Sequence, residues 1–121
     1  MATLNVNGGD LVVHLSPLER LGMFRGDVRV PLTAVRSVGI EPHPWQDLHR
    51  RRTVRISPGV GIPGIAALGA RGFGGARAFT AVYGQRPAVR IDLDPSAQFG
   101  HLLITVADPE AAMANIKAVV S

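Results

Sequence analysis

The residues best able to do chemistry in this chain are cations that could grip an anion. From Leu48 to Ile91 there are eight arginines and no aspartate or glutamate; the remainder holds five cations and nine anions. That segment therefore carries +8 and the rest −4, giving the net +4 of the whole chain. Within it, Arg50, Arg51, Arg52 and Arg55 lie just after Trp45. Guanidinium groups bind carboxylate and phosphate bidentately, and exposed Trp and Arg are typical anchors of interfaces. These five residues form the candidate anion- or partner-binding site. Near an anionic surface each cation contributes about 1 kcal/mol, so about four acting together give only about millimolar affinity. Alternation along strands also scatters neighbouring side chains, so the arginines form either one patch or several dispersed charges.

Other constellations carry less chemistry. Gly59-Val60-Gly61-Ile62-Pro63-Gly64 fits the G-x-G-x-x-G pattern, but Pro63, Gly69 and Gly72 break any following helix, and no βαβ spacing surrounds it. It is expected to be a turn. His43, Asp47 and His49 are close in sequence, yet a proline-broken loop gives metal ligands no register, so no metal and no cofactor is expected. Ser16 and Ser57 each precede a proline and neither lies in a nucleophile elbow. Asp92 and Asp94 share a strand face with Arg90, which implies a solvated, mutually screened row rather than an acid–base pair. Nucleic acid would call for stacking aromatics, and Phe79 and Tyr83 are as well placed for a core as for a platform.

The elements that position these residues are mostly short alternating strands. Leu4 to Leu15 reads as a hairpin about Asn7-Gly8-Gly9-Asp10, and Ser16-Pro17-Leu18-Glu19 as a capping box opening a helix that Gly22 and Gly26 end. Strands follow at Val28–Val30 and Val35–Glu41. Pro42 and Pro44 then break the pattern, and Thr53–Ser57 is an expected edge strand. Ile65–Ala70 and Arg77–Tyr83 form a second hairpin. Val89, Ile91 and Leu93 point inward with Arg90, Asp92 and Asp94 outward, and Leu102, Ile104 and Val106 make one more strand. Asp108-Pro109-Glu110 opens a terminal helix whose stripe of Ala112, Met113, Ile116, Val119 and Val120 needs the sheet as its partner.

A chain of 121 residues, 46% hydrophobic and without cysteine, is expected to be one domain with a true core and no disulfide framework. Without a signal-like N-terminus or a membrane-length apolar run, a soluble cytoplasmic protein is expected. The order of short strands closed by a helix resembles the pleckstrin-homology-like fold. Val30-Pro31-Leu32, Val35 to Ile40, Pro44-Trp45, Gly61 to Gly64, Phe79 to Val82 and Asp108 to Ala111 are similar to small PH-like proteins of high-GC Gram-positive bacteria. The resemblance implies an antiparallel β-sandwich or partly open barrel of about seven strands capped by a C-terminal helix. It further implies a binding scaffold rather than an enzyme. The Asn7–Asp10 loop carries none of the cations that lipid-binding members place in their first hairpin. The expected function is thus a non-catalytic module that recognises a protein partner or an anionic membrane surface through its arginines. The alternatives are strand addition at a sheet edge, self-association, and a small-molecule or enzymatic pocket with unidentified lining.

Overall fold

The computed structural model describes residues 2–23, 26–50, 54–55, 60–62, 65–73 and 76–120. Strands β1 (Thr3–Asn7) and β2 (Asp10–His14) pair antiparallel around Gly8 and Gly9. Gly8 takes a φ of 63°, which a side chain would resist, whereas Asn7 closes the strand rather than entering the turn. Helix α1 (Pro17–Met23) opens on the expected capping box. The Glu19 N–H donates to Ser16 Oγ at 3.3 Å, and the Ser16 N–H donates to Glu19 Oε1 at 2.7 Å. The helix runs through Gly22 instead of ending there, since one interior glycine costs only about 1 kcal/mol.

Strand β3 (Val28–Pro31) adds to β2, completing a small sheet in the order β1-β2-β3. A single 3-10 turn at Leu32–Ala34 leads to β4 (Val35–Glu41). Where a proline-broken loop is expected, the chain forms helix α2 (Pro44–Arg50). Proline at the first helical position loses no intrahelical bond, and the Asp47 N–H reaches the His43 carbonyl at 3.2 Å. Pro44 thus starts an element instead of ending one.

The larger sheet contains β5 (Val54–Arg55), β6 (Val60–Ile62), β7 (Ala66–Phe73), β8 (Ala76–Tyr83), β9 (Ala88–Leu93) and β10 (His101–Ile104). Its order is β4-β9-β10-β8-β7-β5, with β6 also pairing β7. Val60–Ile62 is therefore strand rather than turn, and the described strands number ten rather than about seven. One pair corrects the expected all-antiparallel pattern: β10 runs parallel to β8 and antiparallel to β9. The short Gly84–Pro87 connection leaves β8 and β9 antiparallel with one strand's width between them. Strand β10 fills that gap and must parallel one of its neighbours. Among the described residues no closed barrel forms.

The main core lies between the two sheets. Leu11, Val13, Val28 and Val30 of the small sheet meet Phe79, Ala81, Val89, Ile91, Leu102 and Ile104 of the large one. Helix α3 (Pro109–Val120) closes this core by packing on β4, β9 and β1. Asp108 caps it, accepting from the Ala111 N–H at 3.1 Å. Its buried stripe is narrower than the periodicity suggests. Ile116 enters the core with Ala112 and Val120 beside it, while Val119 remains 50% exposed. Among the described residues, no helix is long and apolar enough to cross a membrane.

Candidate functional site

The arginine-rich segment does not act as one unit. Arg90 stands on β9, opposite Leu103 of β10 and Gly39 of β4, on the sheet face away from the main core. That face is expected to be solvated, but α2 covers part of it. Trp45 and Leu48 pack over Ala67, Val82, Ala88 and Leu103, forming a second apolar cluster. Asp47, on the same helix, is buried, and each of its carboxylate oxygens accepts from Arg90 Nη1 at 3.2 Å. The same guanidinium donates from Nη2 and Nε to Asp92 Oδ1 at 2.9 and 3.2 Å. Ser37 Oγ completes the chain by donating to Asp92 Oδ2 at 2.8 Å. Burial alone would push the Asp92 carboxyl up. The bonds from Arg90 and Ser37, with the charges of Arg90 and His101, outweigh that and hold it below the ordinary carboxylate range.

Arg90 is therefore a structural cation, clamping α2 to the sheet. The Arg90–Asp92 neighbourhood is present as expected, but Asp94 lies beyond the strand end. It pairs with Arg36 and accepts from Ser96 N–H and Oγ, and these bonds lower its pKa strongly. Asp47, one of three residues that suggested a metal, is committed to Arg90.

Trp45 is half-buried against the second cluster, and its Nε1–H donates to the Gly84 carbonyl at 2.6 Å. The remaining expected site residues divide by position. Arg50 ends α2, and Arg51 and Arg52 lie outside the described residues. Arg55 occupies β5, directly opposite Arg71 of β7 in the antiparallel register. At the neighbouring register position, Gly72 of β7 faces Arg77 of β8, and Arg77 is exposed. The register thus brings Arg55 and Arg71 together on one face near the β7–β8 hairpin end of the larger sheet, while Arg77, one position on, belongs to the opposite face. Arg86, also exposed, lies past the other end of β8. Among the described residues, Arg77, Arg86 and Arg90 lie apart, and Arg55 and Arg71 share a register position.

A polar link that periodicity does not reveal joins α1 to the large sheet. Glu19 is buried; beyond its cap bond, its Oε2 accepts from the Tyr83 hydroxyl. Burial, followed by the hydrogen bond and charge of Glu19, raises the Tyr83 pKa well above its ordinary value, so the phenol stays protonated. The capping-box motif was the only sequence signal for Glu19, and it accounts for one of the two oxygens. A second cluster sits on the small sheet. Asp27 accepts from the Leu15 N–H at 2.9 Å, from His14 Nδ1 at 2.8 Å and from Arg20 Nη2 at 2.9 Å.

No protein-family model, curated protein or solved structure matches the chain.

Proposed function

We propose that the protein is a non-catalytic, cytoplasmic binding module that recognises an acidic protein partner or an anionic surface through arginines at the β7–β8 hairpin end. The register of Arg55 directly against Arg71, which places both on one face of the sheet, carries this proposal. Like charges directly opposed across an antiparallel pair destabilise the pair, by about 0.2–1 kcal/mol. An anion bridging them removes that cost, and no acidic residue of the same segment is available to do so. Arg90 drops out of the site because Asp47 and Asp92 neutralise it, and Arg86 because it lies at the far end of β8.

A pleckstrin-homology-like architecture remains part of the proposal. Two β-sheets closed by a C-terminal helix whose Ile116 enters the core support it. The parallel β8–β10 pair is the element it leaves unexplained.

The test is co-sedimentation with neutral and anionic vesicles, and titration with an acidic peptide, each across a salt series. Binding should appear only with the anionic probes and weaken as salt rises. The double variant Arg55→Ser, Arg71→Ser should lose it, while Arg77→Ser, on the opposite face, and Arg86→Ser retain it. Unchanged binding by the double variant would remove this site.

A further inference from the structure

Proteins blunt the exposed edges of their sheets with charges, prolines, bulges or short strands, because an open row of N–H and C=O groups invites another chain. Most described edges here are blunted in this way. Strand β3 carries Arg29 and Pro31, and β4 carries Arg36, Glu41 and a bulge between Val35 and Ser37. Strand β5 has two residues, one of them Arg55, and β6 has three. Strand β1 differs from all of these. Its five residues, Thr3-Leu4-Asn5-Val6-Asn7, include no charge and no proline, its register with β2 is unbroken, and no described strand pairs with its outer edge.

The ladder fixes which groups that edge offers. Asn7 and Asp10 close a two-residue turn and are a hydrogen-bonded pair, so alternation makes Asn5 and Thr3 the other residues bonded to β2. Leu4 and Val6 consequently direct their N–H and C=O groups outward. Two copies of β1 related by a two-fold axis through Asn5 then match without adjustment. Leu4 of each copy faces Val6 of the other as a hydrogen-bonded pair, and the two Asn5 residues face each other at the centre.

The side chains agree with this register. Val6 lies opposite Leu11, and Leu4 opposite Val13, so both belong to the core-facing side, on which α3 also packs. Val6 is 36% and Val119 of α3 50% exposed, two of the four large aliphatic residues that the described surface leaves open. Pairing across the two-fold axis places Val6 beside Leu4 of the second copy and brings the two α3 helices to one face of a continuous six-stranded sheet.

We infer that β1 is a homodimerisation edge, pairing antiparallel with β1 of a second copy in a register centred on Asn5. This interface is separate from the arginine site. Sedimentation velocity over a concentration series should show the mass rising from 12.8 kDa toward twice that value. Val6→Lys puts a charge on the edge, and Val6→Pro removes one outward N–H without touching the β1–β2 ladder. Each should weaken dimerisation at least about tenfold while leaving the circular dichroism spectrum unchanged. The chain has no cysteine, so Asn5→Cys gives a lone thiol that tests the register directly. Opposed positions of this kind have Cβ atoms close enough for a disulfide. Under mild oxidation Asn5→Cys should cross-link at least about tenfold faster than Gln85→Cys, in the exposed β8–β9 turn. A monomer at every concentration, or equal cross-linking rates for the two thiols, would overturn the inference.

Discussion

The two faces of the larger sheet are covered by different means, one along the core and the other only in part. The face toward the small sheet is closed by Phe79, Val89, Ile91, Leu102 and Ile104 packed on aliphatic neighbours. The opposite face presents smaller residues, Ala67, Val82 and Ala88, beside Leu103, and a short helix closes it with one ring, one leucine and an ion pair. The first face is held by apolar area, which is non-directional and carries no titrating group. The second depends on the fit between Asp47 and Arg90, so it should fail in a different way.

The largest effect is expected on the first face. Phe79 is fully buried, with its ring centroid 5.6 Å from that of Phe99. Phe79→Ala should cost about 4 kcal/mol in urea unfolding, from lost transfer energy and the cavity left behind. A loss below about 1 kcal/mol would mean that the inter-sheet core is not continuous. On the second face, Arg90→Met should cost about 3 kcal/mol, because it takes a charged partner from a buried carboxylate. The double variant Arg90→Met, Asp47→Leu should recover most of that, since an apolar pair of similar volume often replaces a buried ion pair at little cost. Failure of the double variant to recover would show that the pair contributes net stability instead of only the orientation of α2.

This contrast also decides how much was legible from sequence. The first face was legible because strict alternation, as in Val89, Ile91 and Leu93, names the residues that meet an apolar partner. Both hairpins, the capping box and the terminal helix were legible for similar local reasons. The second face was not, because alternation assigns Arg90 and Asp92 to solvent. Only a helix donated from elsewhere in the chain reverses that assignment. The signal for this helix was present in Pro44 at its first position and in the i, i+3 spacing of Trp45 and Leu48, but Pro42 and Pro44 together read as a break. The site was legible as composition alone. Asp92, two residues on, was a local hint for Arg90, but the buried partner that fixes it, Asp47, lies 43 residues away.

Trp45 ties the covering helix to the β8–β9 turn, and Trp45→Phe isolates that tie. The ring's packing is largely kept while the Nε1–H bond to the Gly84 carbonyl is lost, so the expected cost is about 1 kcal/mol. If Trp45→Phe proves as costly as Arg90→Met, the helix is anchored by its N-terminal end, and the ion pair is secondary.

The smallest effect is also the one that most directly separates the two faces, because only the second should respond to pH. Asp92 has a folded-state pKa below the ordinary carboxylate range, net of burial acting the other way. Its contribution is therefore present above the unfolded value of about 4 and is lost as pH falls through the folded value. Its side chain is 41% exposed, so solvent screens the pair and the contribution is a fraction of that of Arg90. The stability gap between the wild type and Asp92→Asn should accordingly be full at pH 6 and close as the solution is acidified below pH 4. The gap for Phe79→Ala should stay constant over the same range. An Asp92→Asn gap that persists unchanged in acid would mean that shape and hydrogen bonding, rather than charge, hold the second face. The distinction between the faces would then reduce to the size of the residues that close them.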